Sequence, residues 1–463
     1  MLNWFDTSLI VCYLAALLII AIFGFRRSEV NRENLILAGR RLTLPAFVAT
    51  LVSTWYGGIL GVGEFSYRHG LSNWIVFGVP YYIAAVVFAL FLVKRARQSP
   101  DMTIPERLFR SYGAPASVAG SIVLFIVTMP MAYVLMIGVM FNQFFDMPVW
   151  AGIILGTFFS VCYVVTGGFK ADVLTDIIQF ILMFVGFFVL LIFAYFTLGD
   201  LQYLQAAVPA SHFSLTGGNR IGYIAFWYVV ALATLVEPAF YQRCFAAKSA
   251  STAQRGILIS ILFWMFFDFM TTASGIYARA LMPDLADPVT AYTMMAQKIL
   301  PVGLTGLFYL SLLATIMSTV DSYLFLAATT ISHDLIWRFK RFDESRMRFY
   351  TGIGLVVTSV GAAAVAMVSE SVVNIWHDFG SIGMPALLLP MMTSYWGKYQ
   401  YSAAGATISI VVSGLVSSAA LIYPRLSASG EYLLGIEPIF VGLAASIVVF
   451  ALTRVEKPAH RPA

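Results

Sequence analysis

An all-α polytopic membrane protein of about 13 transmembrane helices is the fold class predicted for this 463-residue chain. Three observations predict it: a composition outside the soluble range, apolar runs of spanning length along most of the chain, and two helices interrupted at matching places. Hydrophobic residues make up 60% and charged residues 11% of the sequence, with a mean hydropathy of +0.84. Soluble domains do not reach such values.

Crossing a hydrocarbon core of about 30 Å takes about 20 predominantly apolar residues. Runs of that kind fall at 7–25, 43–67, 73–93, 117–143, 148–165, 173–197, 221–241, 256–280, 300–332, 349–369, 372–396, 401–423 and 435–453. The first has no basic residue before it and Arg26 and Arg27 after it, the reverse of a cleaved signal peptide, so a retained helix is expected. Basic residues crowd alternate loops: 26–41, 94–110, 243–255, 338–348 and the tail beyond 453, with Lys170 and Lys398 in two shorter ones. The opposite loops hold only Arg68, Arg220, Arg279, Lys298 and Arg425 of the 28 basic residues. Lys and Arg stay preferentially cytoplasmic, which places the N-terminus outside, the C-terminus in the cytoplasm and the chain in the inner or plasma membrane.

The net charge of +5 comes from those loops, so no nucleic-acid partner is expected. Cys12, Cys162 and Cys244 are isolated and offer neither a metal spacing nor a disulfide framework. The longest polar stretches, near 198–220 and 333–348, are too short for an independent core, and no GxxxxGK[ST] segment is present. A fused kinase, nucleotide-driven transport and enzymatic activity are thereby set aside, no obligatory protein partner is evident, and the energy source must be a gradient.

Ser318, Thr319, Val320, Asp321 and Ser322 stand inside the 300–332 run, with hydroxyls and a carboxylate where lipid tolerates neither. Such oxygens in a membrane helix read as a hard-cation site. Two other runs are interrupted. The 43–67 run contains Ser53-Thr54-Trp55-Tyr56-Gly57-Gly58, and the oppositely directed 221–241 run contains Glu237-Pro238, a proline that removes a backbone donor in mid-helix. Either alone can be a kink that packs helices. The pair points to an inverted-repeat transporter with its site near the midplane.

At these residues the chain resembles the sodium:solute symporter family. The resemblance covers Gly39-Arg40-Arg41-Leu42, the Ser53 to Gly58 break, Tyr67-Arg68-His69-Gly70, Thr103-Ile104-Pro105-Glu106-Arg107 and the stretch from Gly167 to Gln179. It continues through Gln242-Arg243 with Lys248-Ser249, and from Met317 to Leu335. It implies an inverted five-plus-five helix core with broken first and sixth core helices, at 43–197 and 221–397, joined by an extracellular loop at 198–220. Residues 1–42 would form an extra helix and cytoplasmic loop, and 398–463 two further helices and a tail. The resemblance also implies a sodium ion held by the carbonyls of Leu51, Thr54 and Thr315 and the hydroxyls of Ser318 and Thr319. Neutral oxygens suit a monovalent ion that must leave again. A second cation locus is implied around Asp176, facing Ser318, Asp321 and Ser322. Asp321 departs from the hydroxyl often found there, and could strengthen a sodium site or share a proton with Asp176. Asp176 could equally be an N-terminal helix acid favoured by the dipole.

The solute position implied by the resemblance nominates Ser53, Trp55, Gly58, Phe77, Glu237, Phe240 and Tyr241. Glu237, an acid beside a mid-helix proline, is costly unless a ligand, cation or donor meets it. A zwitterionic, cationic or hydroxyl-rich solute would do so. Glu64 and Asp268 also look intramembrane; they favour the cationic option or pair with neighbouring donors. Trp227, Tyr228, Trp376 and Phe379 could stack on the solute, although lipid-facing or interfacial belts are their default assignment. Gly380, Ser381, Gly383, Pro385 and Pro390 would let the tenth core helix bend. The expected function is sodium-coupled uptake of a small polar organic solute by alternating access. A proton-coupled symporter, an uncoupled uniporter or channel, and a transporter-like sensor remain as alternatives.

Overall fold

Lipid offers the backbone no hydrogen-bond partners, so a chain of this composition must satisfy its N–H and C=O groups within helices. A computed structural model describes residues 3–26, 31–369, 371–427, 430–432 and 435–457; Arg27 and Arg461, used above for orientation, lie outside them. Each apolar run falls on a helical segment. In chain order these are α1 (Trp4–Arg26), α2 (Leu44–Trp55), α3 (Ile59–His69), α4 (Val79–Phe91), α5 (Ala114–Thr128), α6 (Met131–Phe145) and α7 (Val149–Leu198). Then come α8 (Ile221–Val230), α9 (Pro238–Ala246), α10 (Ala250–Leu281), α11 (Leu304–Thr329), α12 (Met347–Val368), α13 (Val372–Tyr395), α14 (Ala403–Leu426) and α15 (Pro438–Thr453). Among the described residues, nine segments are long and apolar enough to cross a membrane. Trp4–Ile20, Val149–Cys162 and Pro438–Thr453 are shorter apolar helices, and the remaining run is α13, with Asn374, His377 and Asp378 in its first turns. Two short strands, Tyr399–Tyr401 and Arg454–Glu456, pair antiparallel beyond the ends of α13 and α15.

Both expected breaks are present. The chain leaves α2 at Trp55, tightens into a single turn over Tyr56–Gly58, and resumes as α3. Close approach explains the glycines: a Cβ on Gly57 would lie 2.2 Å from Thr319 Oγ1, and one on Gly58 2.1 Å from the Trp376 ring. Between α8 and α9 the backbone extends at Glu237 (φ −69°, ψ 115°), and Pro238 opens α9, where its missing N–H costs nothing.

One feature departs from the sequence reading. The 117–143 run is not one helix: Met129 is extended and Pro130 separates α5 from α6, because proline cannot donate to the preceding turn. As expected, the 148–165 and 173–197 runs are two helical segments of α7, separated by non-helical backbone at Gly168 (φ 61°, ψ −166°). Pro385 and Pro390 lie inside α13 without ending it.

Burial singles out the centre. The span containing α11 is 94% buried and that of α2 and α3 is 83% buried. Most other spans turn large apolar side chains outward, among them Phe188, Phe269, Val360 and Leu415. At the end bearing the arginine-rich loops the molecule is tied shut. Leu42 N–H donates to Ala246 O (3.0 Å), Lys248 N–H to Leu42 O (3.0 Å) and Arg97 Nε to Ala247 O (2.6 Å). Arg110 pairs with Asp101 at 2.8 Å, and Thr103 Oγ1 donates to Asp334 at 2.6 Å.

Gly57→Ala forces a methyl group into Thr319, so thermal unfolding in detergent should show a loss of about 1–3 kcal/mol, the usual cost of overpacking. Gly414→Ala, with nothing within 4 Å of its added Cβ, should be neutral or slightly stabilising by the same measurement.

Candidate functional site

The break in α2 and the middle of α11 meet. Thr319 Oγ1 donates to the Thr54 carbonyl at 2.7 Å, and Thr54 Oγ1 lies 3.1 Å from Ser322 Oγ. Leu51, Thr315 and Ser318 are also buried, Leu51 one turn before Thr54 and Thr315 one turn before Thr319. Thr315 Oγ1 donates to Ser311 O at 2.7 Å. Ser318 Oγ donates to Asp176 Oδ1 at 2.5 Å.

A residue assigned to a loop from the sequence proves to be central. Arg243, in the last turn of α9, is fully buried, and its Nη2 donates to Thr50 Oγ1 (3.0 Å), Thr54 Oγ1 (2.8 Å) and Ser322 Oγ (2.8 Å). The same nitrogen is 3.6 Å from Asp172 and 3.6 Å from Asp176. Hydroxyls relay between the ions: Thr50 donates to Asp176, and Ser322 donates to Asp172 at 2.8 Å. Four helices, α2, α7, α9 and α11, thus close on one guanidinium. With both carboxylates ionised, the cluster keeps a surplus of one negative charge. Asp321, also buried, turns toward Ser160 of α7 instead. The facing set expected around Asp176 is therefore divided, with Ser318 on Asp176, Ser322 on Asp172 and Asp321 apart. Among the described residues, no group of three or more His, Cys, Asp or Glu side chains forms a metal centre.

A cavity of about 250 Å³ opens beside the α2 break. Of the nominated solute residues, Trp55, Gly58, Phe77 and Glu237 line it. Ser53 turns back to Ala49 O at 2.9 Å, Phe240 packs on Trp55, and Tyr241 donates to Leu235 O at 3.1 Å. Trp227, Trp376 and Phe379 line the cavity rather than an interfacial belt, and only Tyr228 of that group is exposed. Tyr81, Tyr133 and Tyr323 are among the lining residues for which the sequence reading had no nominee. Tyr323 follows Ser322 on α11, and Tyr133 follows the Pro130 break. Glu64 pairs with Arg68 at 3.2 Å, and Asp268 accepts from the Tyr82 hydroxyl.

The profile of the sodium:solute symporter family matches residues 35–413. The chain is 24% identical to the sodium/pantothenate symporter of Escherichia coli K12 over 466 residues, covering 95% of this chain and 94% of that one. It is 24% identical to the sodium/proline symporter of Staphylococcus aureus JH9 over 484 residues, covering 96% and 92%. Its fold matches that of a Na⁺-coupled sialic acid symporter solved substrate-bound and outward-open, with a TM-score of 0.83 at 16% identity over 97% of each chain. Mhp1, a nucleobase-cation-symport-1 family transporter, gives a TM-score of 0.57 at 13% identity, covering 92% and 97%.

Removing Arg243 leaves two buried carboxylates without their partner. Arg243→Gln should cost about 3–5 kcal/mol of stability, the range for breaking a buried ion pair. Adding Asp172→Asn should recover part of that loss, so the double variant unfolds at a higher temperature than Arg243→Gln alone.

Proposed function

The chain belongs to the sodium:solute symporter family, and from that premise we propose how its sodium-coupled transport is built. Sodium would sit where α2 breaks against α11, held by the carbonyls of Leu51, Thr54 and Thr315 and the hydroxyls of Ser318 and Thr319. The observation that carries this reading is that one segment, Thr54 to Gly58, supplies both a carbonyl facing Thr319 and two walls of the cavity, Trp55 and Gly58. An ion entering between Thr54 and Thr319 would replace their hydrogen bond and fix the break, and with it the cavity wall. With both carboxylates ionised, the Asp172–Asp176–Arg243 cluster would carry a surplus negative charge that favours a monovalent cation beside Ser318.

The second cation locus reads differently with Arg243 in view. Its guanidinium already stands 3.6 Å from Asp176 and bonds Ser322, so we assign one sodium per cycle. The arginine-rich end would be cytoplasmic, which makes the side tied by Leu42, Ala246 and Lys248 the inner one. A tenfold gradient and 100 mV supply about 1.4 and 2.3 kcal/mol per ion, enough to concentrate a neutral solute several hundredfold. The cell membrane is the expected location, and a small polar organic molecule the expected solute.

Binding of radiolabelled sodium to the purified protein tests this arrangement. A saturable isotherm with a Hill coefficient near one is expected. Ser318→Ala or Thr319→Ala should weaken it by about tenfold or more, about 1.4 kcal/mol for a lost ligand, while Ser53→Ala should leave it unchanged. Unaltered binding in both ligand variants would remove sodium from this position. A coefficient near two would return the second ion to Asp176.

A further inference from the structure

The cavity is aromatic, and its charge is of one sign. Phe77 meets the Trp227 ring at 4.6 Å and that of Trp376 at 6.5 Å; Tyr133 stands 6.4 Å from Trp376. Among the described lining residues none is Lys, Arg or His, whereas Glu237 and Asp268 both bring carboxylates. Asp268 is nearly sealed and accepts from Tyr82. Glu237 remains partly exposed to the cavity it lines. Its Oε1 accepts from the Tyr323 hydroxyl (2.9 Å) and the Ala239 N–H (3.3 Å), and Oε2 takes no hydrogen bond from the described residues.

A carboxylate in such a chamber is costly until a positive group meets it. Ring faces are negative at their centres and attract cations, more strongly when water is excluded. An anionic solute finds no countercharge here, and a polyol finds mostly ring surface where it needs donors and acceptors. Resting on the sodium-coupled uptake proposed above, we infer that the transported solute carries a substituted, positively charged nitrogen, seated against the aromatic walls with Glu237 as its countercharge.

The test uses choline, glycine betaine and 3,3-dimethylbutan-1-ol, the uncharged carbon isostere of choline, titrated against the intrinsic fluorescence of the purified protein in sodium and in potassium. Myo-inositol and pyruvate serve as neutral and anionic comparisons. At least one ammonium compound should bind in sodium about tenfold or more tighter than the isostere, a difference within reach of a desolvated cation–π contact plus countercharge. Glu237→Gln keeps the acceptor for Tyr323 and Ala239 but not the charge, and should erase most of that preference. Should this variant not fold, the comparison of choline with its isostere on the unaltered protein decides the matter. Equal affinity for the two, binding of inositol or pyruvate alone, or no saturable response to either ammonium compound would overturn the inference while leaving sodium binding intact. Ammonium binding that is the same in sodium and potassium would support the inference and count against the coupling it rests on.

Discussion

A guanidinium with no access to water holds the centre of this protein together. Arg243 is expensive to bury, and the cost is met only because Asp172, Asp176 and three hydroxyls converge on it. Those partners come from different helices, so the cluster fixes α2, α7, α9 and α11 relative to one another. Thr54 is held from both sides: its hydroxyl receives Arg243, and its carbonyl receives Thr319. The oxygens assigned to sodium are therefore set in place by a charge that never leaves the chain.

Around this fixed centre the two broken helices do different work. The glycines after Thr54 let α2 approach α11 and Trp376 more closely than any side chain would allow. Glu237 caps α9 at the cavity, and Arg243 stands in the last turn of the same short helix at the charged cluster, so α9 spans the distance between the two. Movement that opens the opposite end must release the ties of Leu42 to Ala246 and Lys248. These backbone bonds join the start of α2 to the end of α9, the two elements that the cation and the solute are proposed to touch.

Much of this was legible in the sequence, for a physical reason: in lipid, apolar length alone decides which segments are helices, and a proline or paired glycines within such a run must interrupt it. The same rule was missed at Pro130, where a single proline in an otherwise apolar run carried no accompanying polar signal. Arg243 was missed because it ends an apolar run and counts as a loop charge in any tally of basic residues. The available clue was Asp172 and Asp176, one helical turn apart on one face, which require a cation between spans. The aromatic lining was also hidden, since 15% of the chain is aromatic and only tertiary packing separates Trp227 and Trp376, at the cavity, from Tyr228 at the surface.

The central claim is that cation and solute share one structural element, the Thr54 to Gly58 break. Thermodynamic linkage then requires that each ligand raise the affinity of the other by the same factor. Calorimetric titration of sodium with and without a bound ammonium solute, and of that solute with and without sodium, should return a common factor of about ten or more, a coupling of about 1.4 kcal/mol. A factor of one in both directions would mean that the two sites do not meet at this break, and the account would fail at its base.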